Sequence, residues 1–313
     1  MTGKQVVVAS RSFGKAQPEG AEMLLRAGFS LKYLPGERSA HEELAAFMME
    51  AETIAVIAGA EPITGEMINA SPNLRIITMH GAGLNHIDSD TAGRRGIVVK
   101  AVAGGNSEAV ADLTWGLILA VSRKICTADS ETRKGNWGKY FGYSVDHKTL
   151  GIIGFGFIGK AVARRALGFD MNVLAYDVFQ DKETAEKLNV TFVDKQTILT
   201  TSDIVTLHIP LLPQTKHFIG EDELDLMKST AILVNVSRGE IVHEAALITA
   251  LVEEKILGAG LDVFTEEPLP AGHLLTLASN TVLTPHIGAR TFETMRDIGI
   301  ACAKNILSVV SDN

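Results

Sequence analysis

The chain of 313 residues has only two cysteines, Cys126 and Cys302, far apart and without clustered partners. This excludes a disulfide framework and a thiolate metal site, and no other metal-ligand set is apparent; a reducing, cytoplasmic location is expected. A basic excess is also missing, since 29 Lys and Arg stand against 37 Asp and Glu, a net charge of −8. Nucleic acid and anionic lipid surfaces therefore find no cationic footprint. Long apolar runs are absent too. Residues 1–15 hold only Val6, Val7, Val8 and Ala9 before Arg11, short of the roughly 7 to 15 apolar residues of a signal peptide. The run 113–121 falls well below the roughly 20 residues that cross a bilayer. Neither repeats nor low-complexity tracts occur.

What is present is an ordinary globular composition, 46% hydrophobic and 21% charged, in a chain long enough for two cores at roughly 100 to 200 residues per domain. Short β-branched runs at 6–9, 31–34, 54–57, 74–77 and 97–99 alternate with helical patterns. Those patterns lie at 19–28, from His41 behind a capping box of Ser39 and Glu42, and after Thr64. A long amphipathic segment, 107–126, and a polar stretch, 127–148, follow. Seven more runs come next, at 150–153, 173–176, 191–193, 204–207, 231–235, 259–262 and 281–283. Strands alternating with helices predict an α/β chain with two doubly wound parallel sheets, divided around residue 100. The last helical pattern, 291–310, has no strand left to pair with in the second sheet and is free to return to the first domain.

The sharpest motif is Gly154-Phe155-Gly156-Phe157-Ile158-Gly159, between the run ending at Ile153 and a helical pattern from Lys160. Its first glycine permits a tight turn, the second lets the backbone approach a pyrophosphate, and the third packs helix on strand. The helix N-terminus then offers unpaired N–H groups to the phosphates. Asp177 ends the next run, 177 − 159 = 18 residues on, where a carboxylate accepts from ribose hydroxyls and repels a 2′-phosphate. NAD is preferred over NADP.

Arg238 follows the run 231–235, at a strand end where open α/β sheets bind ligands, and its planar guanidinium suits a carboxylate. An ion pair with Glu240 or Glu244 is the equal alternative. Asp262, Glu267 and His286 follow two further strand ends, and a histidine with a carboxylate partner is what proton transfer near neutral pH requires. His217, His243 and His273, among nine histidines, read as surface or merely hydrogen-bonded residues.

Together, seven ordered motifs resemble the D-isomer-specific 2-hydroxyacid dehydrogenases over nearly the whole chain. They are the stretch 81–88, the helix pattern 110–119, the glycine fingerprint, Leu207-His208-Ile209-Pro210-Leu211 with Thr215, the stretch 235–239, Leu261-Asp262-Val263-Phe264 with Glu267-Pro268, and the stretch 284–288. The resemblance implies a Rossmann cofactor domain, 101–286, inserted in a flavodoxin-like substrate domain, 1–100 with 287–313, with a cleft that closes on substrate. It implies an NAD-dependent enzyme moving hydride between nicotinamide and C2 of a small D-2-hydroxy or 2-keto acid. His286 would be the acid–base group, Glu267 would orient it and stabilise its charged form, and Arg238 would bind the carboxylate. Cofactor contacts carry over to Gly154, Gly156, Phe157, Ile158, Gly159, Asp177, His208, Ile209, Pro210, Thr215, Val236, Ser237, Arg238, Asp262, His286, Gly288 and Ala289. Substrate contacts carry over to Met79, Ala82, Gly83, Asn106 and Arg238. A homodimer through the cofactor domain and the long helix is implied, with Trp115 at the subunit interface or in the core.

Departures from the family pattern bear on substrate. Met79 stands where many phosphoglycerate-type members carry Arg, and it cannot pair with a distal anion; His80 beside it is a partial substitute or a loop residue. Phosphite-oxidising relatives carry Lys at Ala82, and formate-oxidising ones Gln at Glu267, so neither activity is expected. No C-terminal regulatory domain follows residue 313 in this sequence, against a serine-feedback arrangement. Two other readings stay open: phosphoglycerate dehydrogenase proper, and an NAD-sensing protein like the C-terminal-binding corepressors.

Overall fold

The computed structural model describes residues 3–15, 17–35, 40–81, 83–84 and 86–310. Ser39 of the expected capping box, and Ala82 of the expected substrate contacts, lie outside the described residues. The chain divides into two compact units, residues 1–106 with 289–313, and residues 107–288.

In the first unit, β1 (Gln5–Val8), β2 (Ser30–Tyr33), β3 (Thr53–Ala58), β4 (Ile76–Met79) and β5 (Val98–Lys100) form a parallel sheet in the order β2-β1-β3-β4-β5. β1 and β3 are continuous apolar runs because both faces are covered. Val6, Val8, Ala55 and Ile57 join Phe13, Leu24 and residues Ile298, Cys302 and Ile306 of the C-terminal helix Phe292–Val310. Val7, Ala9, Val56 and Ala58 face the opposite layer with Leu44, Met48 and Ile68. The side-chain period of two thus feeds two cores from one strand, and truncating a fully buried member such as Ile57 to Ala would cost about 2–5 kcal/mol. The run 74–77 becomes a strand two residues late: Leu74 packs below the sheet, and pairing starts with Ile76 opposite Ala55.

The second unit holds β6 (Thr149–Ile153), β7 (Asn172–Tyr176), β8 (Val190–Phe192), β9 (Ile204–Leu207), β10 (Ile232–Asn235), β11 (Gly258–Leu261) and β12 (Thr281–Leu283). All pair in parallel, in the order β12-β11-β10-β9-β6-β7-β8. The chain runs outward from β6 to β8 and then crosses to β9, so β6 and β9 flank the point where the strand order reverses.

One further local expectation differs from the structure, and one left open is decided by it. The segment 107–126 is not one helix: Ser107–Ser122 ends, Lys124 adopts a left-handed φ of 53°, and a second helix, Ile125–Arg133, begins. That second helix has no buried residue, so no apolar stripe marked it; ion pairs such as Arg133–Asp129 at 2.8 Å lie along it instead. Trp115 is core rather than interface: it is 5% exposed, its indole N–H donates to the Val162 carbonyl at 3.2 Å, and its ring stacks on Phe169 at 4.7 Å. Among the described residues, no helix is long and apolar enough to cross a membrane.

Candidate active site

A parallel sheet sends every strand's carboxyl end to one edge, so the loops after β6, β7, β9, β10, β11 and β12 gather there. The fingerprint loop leaves β6 and meets the loop leaving β9. Gly154 has φ +99°, and a Cβ on it would lie 2.6 Å from the His208 carbonyl atoms, while one on Gly159 would lie 2.1 Å from the Gly154 oxygen. Only glycine permits that turn at the reversal point. The helix Phe157–Ala166 starts at Gly156 with no side-chain cap, leaving its first N–H groups pointing outward. At the end of β7 the Asp177 carboxylate accepts from the Phe155 N–H at 2.6 Å and the Phe179 N–H at 2.9 Å. It is thereby fixed in place while its remaining lone pairs stay partly exposed.

Three strand-end loops carry the charged groups. After β12, His286 takes a left-handed φ of +50°, a costly conformation for a residue with a Cβ. Asp262, 1% exposed at the end of β11, holds it there. Its carboxylate accepts from the Thr284 hydroxyl at 2.6 Å, the Ile287 N–H at 2.9 Å and the Gly288 N–H at 2.8 Å. Its carbonyl accepts from the His286 N–H at 2.9 Å. His286 Nδ1 and Glu267 Oε2 lie 2.7 Å apart, and the other Glu267 oxygen accepts from the Phe264 N–H at 3.1 Å. Burial works to raise the Glu267 pKa. The His286 hydrogen bond and charge, the Phe264 N–H and the Arg238 charge outweigh it, so the carboxyl titrates below its ordinary value and is ionised at neutral pH.

Arg238 stands in the loop after β10. The buried Asn235 side chain shapes that loop, donating to the Arg238 carbonyl at 2.9 Å and accepting from the Ser237 N–H at 3.0 Å. Gly239 lets the loop approach the one carrying Glu267, because a Cβ there would lie 2.0 Å from the Phe264 carbonyl carbon. Neither expected ion pair forms. Glu244 instead pairs with His273 at 3.3 Å and accepts from the Thr265 N–H. Among the described residues Arg238 has no carboxylate partner, and its guanidinium donates to the Ser237 carbonyl at 2.6 Å.

The remaining sites expected from sequence have mixed positions. Ser237 donates through its hydroxyl to the Leu207 carbonyl, tying the ends of β9 and β10. Thr215 closes the loop after β9 by donating to the Pro210 carbonyl at 2.6 Å and accepting from the Leu212 N–H at 2.7 Å. Ile209 packs against the second unit's core and Val236 lies within it. The His208 ring pairs through Nε2 with the Thr206 hydroxyl at 3.0 Å, and burial pushes its pKa down to about 3. It is a neutral group beneath the loop. His243 caps a helix, accepting from the Ala246 N–H at 3.2 Å, and stacks edge-on against His217 at 4.7 Å.

In the first unit, Met79 ends β4 and folds toward Gly81, where a Cβ would lie 3.4 Å from the Met79 methyl carbon; Gly83 and Asn106 lie in loops. His80 follows Met79. Its Nδ1 lies 3.0 Å from the Ser10 hydroxyl and 3.3 Å from that of Ser12, and burial pushes its pKa down to about 4. It is uncharged at neutral pH and does not supply the cation that Met79 lacks.

Residues 115–288 match the family model described as D-isomer specific 2-hydroxyacid dehydrogenase, NAD binding domain. The chain belongs to the D-isomer specific 2-hydroxyacid dehydrogenases. Over 303 residues it is 41% identical to a glyoxylate reductase of Thermococcus gammatolerans, covering 94% of this chain and 90% of that one. It is 38% identical over 304 residues to a D-3-phosphoglycerate dehydrogenase of Archaeoglobus fulgidus, covering 96% of this chain and 56% of that one. A crystal structure of a glyoxylate reductase from Paecilomyes thermophila superposes with a TM-score of 0.86 at 30% identity, over 100% of this chain and 97% of that one. This dehydrogenase is an NAD-dependent oxidoreductase acting on a small 2-hydroxy acid or its 2-keto partner. Its own residues fit NAD: the glycine turn leaves room for a pyrophosphate at an uncapped helix start, and Asp177 is a partly exposed carboxylate at the β7 end, the acceptor chemistry that ribose hydroxyls need. Sequence reasoning assigned no role to Asn235 or Thr284. Both lie inside the recognised motifs, and that position is the only signal for them.

Proposed function

We propose that this dehydrogenase reduces a small 2-keto acid with an uncharged tail, glyoxylate first among them, with the reverse oxidation available. The observation that carries the reading is the 2.7 Å His286–Glu267 contact beside a guanidinium with no carboxylate partner. Bound NADH supplies the hydride to C2. Arg238 binds the substrate carboxylate through two N–H donors and polarises the keto oxygen. Glu267 engages Nδ1 of His286, which leaves Nε2 as the atom that gives a proton to that oxygen and takes it back in oxidation. Asp262 acts through the loop it clamps, setting the ring's direction. The second unit binds the cofactor, through the fingerprint, Asp177 and the loops 208–215 and 236–238. For Met79, Gly83 and Asn106 of the first unit, the family resemblance is what supports a substrate role.

Met79 and the neutral His80 favour glyoxylate over a phosphorylated acid, and the glyoxylate reductase relative points the same way. The test is NADH oxidation against glyoxylate, hydroxypyruvate, pyruvate, oxaloacetate and phosphohydroxypyruvate. Higher kcat/KM for an uncharged-tail acid is expected; preference for phosphohydroxypyruvate would move the reading to phosphoglycerate dehydrogenase. We also infer a homodimer. Ile125, Trp137 and Phe141 in the second unit are 50%, 92% and 82% exposed, an apolar surface that a second copy would cover. Light scattering should give twice the chain mass, and a monomer at micromolar concentration would reject this. The unpaired cysteines favour a cytoplasmic location.

A further inference from the structure

The corner beside Asp177 holds a second charged assembly. Lys160, one residue past the fingerprint, pairs through Nζ with Oδ2 of Asp181 at 2.5 Å, both side chains being about two-thirds or more buried at 30% and 26% exposure. Asp181 lies on the same loop as Asp177 and caps the helix Lys182–Lys187, accepting from the Thr184 N–H at 3.1 Å and the Thr184 hydroxyl at 2.8 Å. Lys160 Nζ is 6.0 Å from the ring centroid of Phe155, whose own N–H holds Asp177. Phe155 thus has Asp177 at its N–H and the Lys160 ammonium 6.0 Å from its ring, with Asp181 paired to that ammonium. The Lys160 hydrogen bond and the Thr184 donors hold the Asp181 carboxyl well below its ordinary range, so it is charged whenever the enzyme works.

We propose that the Lys160–Asp181 ion pair is a second element of cofactor discrimination, in which Asp181 keeps the Lys160 ammonium from serving an adenosine 2′-phosphate. Asp177 repels a 2′-phosphate, but a cation free in the same corner would offset that repulsion. Asp181 removes the offset. It is itself held by two donors besides Lys160, the Thr184 N–H and hydroxyl, so the neutralisation does not depend on a mobile surface contact. Two groups therefore act together: one excludes the phosphate, and the other withholds its counter-ion. The inference rests on the fingerprint site being the one that binds the adenosine half of NAD.

The test is calorimetric binding of ADP-ribose and 2′-phospho-ADP-ribose, which reads the corner without turnover. Asp181→Asn removes the charge while an amide oxygen still caps the helix, and Asp181→Ser, another capping residue, repeats the test should the first variant fold poorly. In either, the ratio of the two dissociation constants should move about tenfold toward the phosphorylated ligand, the size of one charge-assisted contact. Adding Lys160→Met should return the ratio to that of the unaltered protein. An unchanged ratio in both Asp181 variants, or a gain that survives Lys160→Met, would overturn the proposal. Asp177→Asn in the same titrations separates the two claims. If it weakens ADP-ribose binding while the Asp181 variants do nothing, the ion-pair role alone fails; if it leaves ADP-ribose binding intact, the site beneath it fails too.

Discussion

Two parallel sheets of this chain reach the same layered architecture, yet their carboxyl edges carry different chemistry. The seven-stranded sheet presents Asp177, Arg238, Glu267 and His286 after β7, β10, β11 and β12, with His286 2.7 Å from the ionised Glu267. At the corresponding edge of the five-stranded sheet, Ser10, Ser12 and the neutral His80 hold one another, and the charges of Arg11 and Glu61 pair with each other at 3.3 Å. The buried backbone layers do not decide this, since both sheets rest on Val, Ile, Leu and Ala. The loops do, and the function proposed above assigns proton transfer to one edge and an uncharged tail to the other on that ground.

The contrast breaks most sharply at His286. Its replacement by Ala should lower kcat by about 100-fold or more with unchanged circular dichroism, because it removes the only proton donor assigned to the charged edge; near-full turnover would remove the acid–base assignment. Arg238→Lys keeps the charge but loses the planar pair of donors, so kcat/KM should fall about 10- to 100-fold, chiefly through KM. Steady-state kinetics showing an unchanged KM would mean another group binds the carboxylate. At the edge of the five-stranded sheet, Met79→Arg should raise the kcat/KM ratio of phosphohydroxypyruvate to glyoxylate by roughly fivefold, as an added cation within reach of a distal anion would. No shift in that ratio would place the tail elsewhere.

The last effect concerns stability rather than turnover. The unfolded chain protonates His80 near pH 6.5, while the native ring resists until about 4. The unfolded state therefore binds more protons between those limits, and acidification drains stability there, by about 2 kcal/mol at pH 5. His80→Gln never charges, so its melting temperature should drop less between pH 7 and pH 5 than that of the unaltered protein. Equal drops would show that the ring is already charged when native.

Much of this was legible before any coordinates. Strand positions were written as apolar runs because residues buried on both faces of a parallel sheet cannot alternate with polar ones, as in Val6-Val7-Val8 and Ile54-Ala55-Val56-Ile57. The fingerprint was legible because its glycines answer a steric demand made by the loop itself. Helix Ile125–Arg133 was not, since nothing in it is buried and its stabilising ion pairs leave no periodic apolar trace. Nor was the fate of Arg238: Glu240 and Glu244 lie two and six positions on in sequence, and the turn permitted by Gly239 and the engagement of Glu244 by His273 left the guanidinium without either.

The sequence by itself determined most of the elements, the glycine turn and the chemical inventory of acids, bases and cations, because these follow from local sterics and side-chain type. Which of those groups became partners was decided only by the tertiary structure. Asp262 sits 24 positions before His286, and 286 − 262 = 24 says nothing of contact. Parallel pairing of β11 with β12 brings their ends together, so that the buried carboxylate gathers three donors and fixes the His286 backbone in a conformation it would not otherwise hold.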